Sequence, residues 1–253
     1  MKRVALISDI HGNLPALKAV LADIDGRQNL DAIYHLGDLT GYAPWPNEII
    51  GLLQQRAIPG IAGNYDSTIA TDYKHCGCRA ETPRDEELAH VSFEWTRNQV
   101  TPETKKYLGS LPFRLDIRPL GGHVSGPTTT LIHGNQTLNT VYVTEDRPDS
   151  FLQKMGVSMG AKSGDVIGFG HTHKPWQRTV DGIQFVNAGS VGRPKDGDPR
   201  ACYVLLFVDD SGAQIEFVRV PYDVEEAARA ITEAGLPDEF AEVLRSGRSP
   251  AAV

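Results

Sequence analysis

Three times in the first 66 residues an apolar run gives way to a polar turn that carries glycine, and helical patterns separate these runs. RVALIS at residues 3–8 leads into Asp9-Ile10-His11-Gly12, after which Leu14, Leu17, Leu21 and Ile24 recur at helical spacing. Residues 32–36 read as a second strand ending at Gly37-Asp38. Residues 47–55 read as a helix after Pro46, and 57–62 as a third strand running into Gly63-Asn64-Tyr65-Asp66. Strands separated by helices cannot close as hairpins, so this half predicts a buried, largely parallel sheet.

Residues 66–110 turn polar, with helices predicted at 85–98 and 102–108, and are expected to form a cap beside any site. Strands then dominate, at 113–117, 129–133, 165–169, 176–180, 183–187, 201–207 and 213–218. Asp181-Gly182 and Ser211-Gly212 mark hairpins and a second, more antiparallel sheet. Helices at 224–234 and 237–245 and a short tail close the chain. With 253 residues, 40% of them hydrophobic, one domain spanning 1–253 can bury its own core.

Charge and composition narrow the function classes. A net charge of −7 weighs against a nucleic-acid partner, which needs a basic footprint. No apolar run approaches the ~20 residues of a membrane span, and polar Asp9 and His11 arrive too early for a signal peptide, so a cytoplasmic protein is expected. Three sparse cysteines, Cys76, Cys78 and Cys202, fit a reducing compartment in which disulfides carry no structural load.

The polar turns hold the chemistry. To the three turns above the second half adds His133-Gly134 and Gly170-His171-Thr172-His173, each again following an apolar run. Ligands gather at the carboxyl ends of strands in open α/β sheets, and a mixed Asp, Asn and His set suits manganese, iron, zinc or nickel better than calcium or magnesium. Alone, each piece has a plainer reading: Asp9 as a helix cap, Gly37-Asp38 as a turn, His171 and His173 as surface histidines. Five such turns in order point to a shared centre.

Asp9-x-His11, Gly37-Asp38, Gly63-Asn64-x-Asp66, His133-Gly134 and Gly170-His171-x-His173 together resemble the signature of the calcineurin-like metallophosphoesterases, over roughly residues 3–220. Gly41-Tyr42-x-Pro44-x-Pro46 and the run from Asn187 to Pro194 are similar to the small prokaryotic branch that includes YfcE-like and diadenosine tetraphosphatase-like proteins. The resemblance implies a four-layer αββα sandwich with two mixed β-sheets and two divalent metal ions. It implies Asp9, His11 and His173 on one metal, Asn64, His133 and His171 on the other, Asp38 bridging, and Asp66 behind them. The implied activity is hydrolysis of a phosphate ester by in-line attack of a metal-bridging hydroxide, since two cations lower the pKa of a shared water towards ~7. A small phosphorylated molecule or a phosphoprotein is the expected substrate. A phosphodiesterase, a dinucleoside polyphosphate hydrolase and a non-catalytic metal-containing module are the alternatives.

Where many such proteins carry His after the motif Asn, this chain has Tyr65, a weaker acid with an ordinary pKa near ~10. Either Tyr65 donates the leaving-group proton, or His75 does, or the leaving group needs none. His75-Cys76-Gly77-Cys78 reads as a pocket wall, a metal or redox pair, or two small buried thiols. Arg193 and Arg200, with Lys195, are candidates to grip phosphate. Trp45 reads as base-stacking or packing, His35 and His90 as structural, and His123 as a turn.

Overall fold

The structure, a computed structural model, describes residues 2–27, 29–78, 82–118, 126–209 and 212–249. The opening strand–helix–strand reading holds. β1 (Lys2–Ile7) and β2 (Ala32–His35) pair in parallel, with Val4 opposite Ala32 and Ile7 opposite His35, joined by α1 (Leu14–Gly26). The Asn13 side chain caps α1 by accepting the Ala16 N–H, and Pro15 supplies a first-turn residue that needs no partner for its nitrogen.

The third strand does not form. Residues 57–62 make one bridge, between His35 and Gly60, because Pro59 has no N–H to give a ladder. The chain instead passes from Gly63 directly into α3 (Asn64–Ala70), whose sequence NYDSTIA carries no apolar period for a reader to detect. α2 (Pro46–Gln55), α4 (Pro83–Gln99) and α5 (Pro102–Ser110) lie close to their predicted bounds.

The division into a parallel half and an antiparallel half is corrected by the sheets. One has the order β2-β1-β8-β9, so β8 (Ala201–Asp209) and β9 (Gly212–Val220) return from the far end of the chain to lie antiparallel beside β1. The other has the order β3-β4-β5-β7-β6, from β3 (Leu115–Ile117), β4 (Thr129–Leu131), β5 (Val166–Phe169), β6 (Trp176–Val180) and β7 (Ile183–Asn187). Its centre, β4-β5-β7, is parallel and its edges β3 and β6 are antiparallel. The parallel step from β4 to β5 is carried by a helix missed in the sequence, α6 (Asp149–Met159), in which Leu152, Met155 and Met159 are buried.

Alternation along the strands builds the layers. Val4, Leu6, Val204 and Leu206 of one sheet meet Leu131, Val166 and Val186 of the other in a shared inner core. Gly168 sits there too, where an added Cβ would come within 3.0 Å of Leu131 and 3.2 Å of Leu6. Ala5, Ile7, Tyr203 and Leu205 face outward onto α1 and its neighbours. Ile167, Phe169, Ile183 and Phe185 face outward onto α6. The architecture is therefore the four-layer αββα sandwich with two mixed sheets. Each large side chain so buried contributes roughly 1.5–3 kcal/mol.

The Asp181-Gly182 turn closes β6 onto β7 with both residues at positive φ, 50° and 76°, as a two-residue hairpin favours. The β8–β9 hairpin pairs Asp209 with Gly212; Ser211 of its expected turn, His123 and the last four residues lie outside the described residues. α7 (Val224–Glu233) and α8 (Asp238–Ser246) pack on each other and on Ala43 and Leu88, setting Phe240 edge-on to Tyr42. Trp45 packs into this same cluster. Among the described residues no helix is long and apolar enough to cross a membrane.

Candidate metal centre

Asp9 and His11 follow β1, Asp38 follows β2, Asn64 opens α3, His133 follows β4, and His171 and His173 follow β5. All seven side chains are buried. Asp9, His11, Asp38, His171 and His173 have φ of 52°, 48°, 52°, 67° and 60°, a left-handed backbone that non-glycine residues seldom adopt. Each such residue costs on the order of 1–3 kcal/mol, which persists only where the surroundings over-determine it. Here they do. The Asp9 and His11 N–H groups donate to Gly37 and Asp38 carbonyls, and Val191 and Gly192 donate to the carbonyls of Ser8 and Asp9.

The ligand atoms of Asp9, His11 and His173 gather within 4.8 Å of one another, and those of Asp38, His133 and His171 do the same. Nδ1 of His11, His133 and His173 lies 2.9, 2.7 and 2.6 Å from the carbonyls of Thr40, Leu36 and Arg193, so each ring donates from Nδ1 and turns Nε2 inward, as a lone pair in the neutral rings. His11 Nε2 and His173 Nε2 are then 3.1 Å apart. Two lone pairs at that distance repel unless an electron-poor centre lies between them.

The carboxylates repeat the pattern. Asp9 Oδ2 accepts from Ser8 Oγ at 2.6 Å and from the His171 N–H at 3.0 Å, leaving Oδ1 without a partner and 3.3 Å from His173 Nε2. Asp38 Oδ1 accepts from the Tyr65 N–H, while its Oδ2 lies 3.7 Å from His11 Nε2 and 3.4 Å from His133 Nε2, so one oxygen stands between the two groups. Asn64 gives its amide hydrogens to the Cys76 carbonyl and Cys78 Sγ, and its Oδ1 has no partner. Nε2 of His133 and of His171 is likewise buried without a hydrogen bond. Asp66 accepts the N–H groups of Asp38, Leu39 and Gly63 and thereby sets the Asp38 loop.

Burial, with the His173 charge second, lowers His11 to about 3; burial also lowers His171 to about 3 and takes His173 well below 6.5. These rings are held in the neutral, ligating form. Burial opposes ionisation of both Asp38 and His133, yet their mutual attraction wins: Asp38 falls and His133 rises to about 9. Burial raises Asp9, and burial with the Asp38 charge raises Asp66 to about 7. Unpartnered buried atoms converging from imidazole, carboxylate and amide fit two divalent cations, and a cation at His133 would take the place of its proton.

A cleft of roughly 280 Å3 opens on this centre, lined by His11, Asp38, His171 and His173 and, from the cap, by Thr82, Asp85, Leu88 and Ala89. Arg193 lines it, buried, with its guanidinium 4.0 Å from the Tyr42 ring centre and its Nε without a partner. Arg200 does not. It is exposed and paired with Asp198 two residues away, which corrects its assignment to the phosphate grip. His75 is corrected in the same way: it is exposed, accepts the Gly77 N–H at Nδ1, lies against Tyr73, and is not among the cleft residues.

Tyr65 reaches the cleft wall, but its hydroxyl donates to Ser92 Oγ at 3.1 Å, and burial raises its pKa well above 10. Of the readings open for Cys76 and Cys78, the two are bonded to each other, and Cys202 is free and buried. His35 is buried with its ring 3.3 Å from the Tyr107 hydroxyl, and His90 is exposed. Sequence reasoning missed Tyr142, whose ring lies 4.1 Å from that of His171, and Lys174, which also lines the cleft. Lys174 directly follows His173 and was legible; Tyr142 sits in a stretch without periodicity.

Two facing sheets with paired cation-binding groups at their strand ends define a metal-dependent hydrolase scaffold. Residues 1–211 match the calcineurin-like phosphoesterase superfamily domain, and the chain belongs to that family. An uncharacterised protein of Methanocaldococcus jannaschii is 30% identical over 97% of this chain and 98% of its own length. The crystal structure of a metallophosphoesterase from Sphaerobacter thermophilus is 30% identical, covers 97% of this chain and 99% of its own, and superposes with a TM-score of 0.76. A hypothetical protein of Pyrococcus horikoshii OT3 shares the fold with a TM-score of 0.83 at 23% identity, over 99% of this chain and 100% of its own.

Proposed function

We propose that this protein hydrolyses the phosphomonoester of a small phosphorylated molecule at two divalent cations, with manganese, iron, zinc or nickel as the metals. The observation that carries this reading is Asp38, whose one free carboxylate oxygen stands between two groups of buried, partnerless ligand atoms. Asp9, His11 and His173 would hold one cation, and Asn64, His133 and His171 the other, with Asp38 close to both. Bound there, a cation pair lowers the pKa of water and steadies both the attacking and the leaving oxygen of an in-line displacement.

The remaining work belongs to the chain. Arg193, pinned over Tyr42 with its Nε unpartnered, binds and orients the phosphoryl oxygens. Asp66 keeps Asp38 in place through three backbone N–H groups. Thr82, Asp85 and Leu88 of the cap narrow the cleft, and at roughly 280 Å3 it favours a small substrate over a phosphoprotein. The histidines that line it, His11, His171 and His173, are all assigned as ligands, and Tyr65 spends its proton on Ser92. With neither a spare histidine nor the Tyr65 hydroxyl to give a proton, a leaving group of low pKa such as an aryl oxygen is favoured, since it departs without protonation. Net charge of −7 supports a non-nucleic-acid substrate and the composition a cytoplasmic setting.

The test is hydrolysis of p-nitrophenyl phosphate and its bis-ester by metal-stripped protein reloaded with manganese, nickel, zinc or magnesium. Metal-dependent turnover that favours the monoester and disappears in a folded Asp38→Ala variant is expected. Two bound ions with no turnover on either ester would instead make the protein a metal-containing binding module.

A further inference from the structure

The proposed chemistry leaves the Cys76–Cys78 disulfide unused, although it touches the candidate cation site through Asn64. Gly77 between them has φ of 74° and lies so near Thr140 that an added Cβ would come within 2.8 Å of its Cγ2, so this short turn is packed against the body of the protein. Cys76 is 4% exposed and Cys78 half-buried at the cleft wall. Asn64 places its Nδ2 2.9 Å from the Cys76 carbonyl and 3.4 Å from Cys78 Sγ. Both hydrogens of that amide are therefore committed to the disulfide turn, and this fixes the direction in which Oδ1, the unpartnered ligand atom, points.

A disulfide across a single intervening residue closes so short a loop that it removes little entropy from the unfolded chain, and it serves poorly as a structural staple. Its position on a ligand's amide indicates another use. We propose that Cys76 and Cys78 form a reversible dithiol–disulfide pair that controls occupancy of the second cation position through Asn64. The proposal rests on the reading of Asn64 as a ligand.

The reactant is a small or protein dithiol. One of its thiolates attacks Cys78 Sγ, the less buried member and the one at the cleft wall; the Cys76–Cys78 bond breaks, and its electron pair leaves on Cys76 Sγ, which takes a proton. The donor's second thiol then attacks the donor sulfur of the mixed disulfide, closing the donor's own disulfide and releasing Cys78 as a thiol. Two electrons and two protons have moved from donor to pair, and an oxidised dithiol reverses the step. With the turn no longer tied, the two acceptors of the Asn64 amide are not held in one place, and Oδ1 loses its aim. Loss of a hydrogen-bonding partner behind a metal ligand weakens metal affinity by roughly 10–100-fold.

The experiment is a manganese titration of the full-length protein, metal-stripped, in its oxidised form and after treatment with dithiothreitol removed by anaerobic gel filtration. Bound metal is measured by mass spectrometry of the element, and the redox state by the two-proton change in intact mass. The oxidised protein is expected to bind two ions, and reduction to weaken one of them at least about tenfold while leaving the other unchanged. A Cys76→Ser/Cys78→Ser variant, checked for native unfolding behaviour, should bind like the reduced protein and ignore dithiothreitol, and Cys202→Ser should respond like the wild type. Equal affinities in two states that differ by the mass of two protons would overturn the coupling, as would a pair that never oxidises in air. Failure to bind manganese in either state would overturn the dinuclear reading itself, an outcome distinct from the other two.

Discussion

Asp38 and Tyr65 are separated by 27 positions and joined by one hydrogen bond, from the Tyr65 N–H to Asp38 Oδ1. The backbone of residue 65 thus serves the centre whatever its side chain is, and this explains how the position tolerates a phenol. If the phenol only packs, Tyr65→Phe should leave turnover of an aryl phosphate within about twofold and cost about 1 kcal/mol of stability for the lost bond to Ser92, read from urea unfolding and steady-state rates. A hundredfold fall in kcat would make the hydroxyl the proton donor after all. His35 permits a pH prediction away from the ligands. Burial lowers it to about 3, against about 6.5 in an unfolded chain, so between those values the unfolded state binds a proton that the folded state does not. Stability is therefore full above about pH 6.5 and falls as pH drops towards 3, by about 1.4 kcal/mol per pH unit from this group. His35→Gln should flatten the slope of unfolding free energy between about pH 6 and about pH 5 by that amount; an unchanged slope would place the titration elsewhere.

At the scale of elements, the loop after β1 is shaped less by its own residues than by the segment at 189–193, which arrives from the other sheet. Ser190 Oγ donates to the Asp9 carbonyl, Asn13 Nδ2 donates to the Gly192 carbonyl, and an added Cβ on Gly192 would meet the Ile10 carbonyl oxygen at 1.7 Å. Neither backbone has room to yield. Gly192→Ala is expected to push the 189–193 segment away from the loop after β1, at a cost of about 1–3 kcal/mol, and to weaken metal binding at Asp9 and His11. Thermal unfolding and a metal titration read the two effects separately, and a variant with the wild-type midpoint would show the contact to be relaxed. The left-handed backbones at Asp9, His11, Asp38, His171 and His173 belong to the same scale: chain segments from three strands hold one another in strained turns.

For the whole molecule, the centre joins the two sheets, with Asp9, His11 and Asp38 on one and His133, His171 and His173 on the other. Cation binding should therefore stabilise the sandwich as a unit. At a hundredfold excess over the dissociation constant a single site adds about 2.7 kcal/mol, which corresponds to about 5–10 °C in Tm for a chain of this size. Chelation should lower Tm by that much and added manganese restore it, as read by calorimetry; an unmoved Tm would mean that the groups do not bind in the folded state.

The alternation of apolar runs and glycine-bearing turns was enough to place Asp9, His11, Asp38, His133, His171 and His173 just past strand ends, because burial period and turn chemistry are local properties of the chain, whereas Asn64 was placed after a third strand that does not form and instead opens α3. The same locality explains what was illegible. That β8 and β9 lie beside β1 rather than β7, that Asp198 captures Arg200, and that Tyr65 gives its hydroxyl to Ser92 are all choices among distant partners. Such choices are settled by which surfaces the packed sheets bring together and which buried polar atoms must be paired there, and only the tertiary structure decides them.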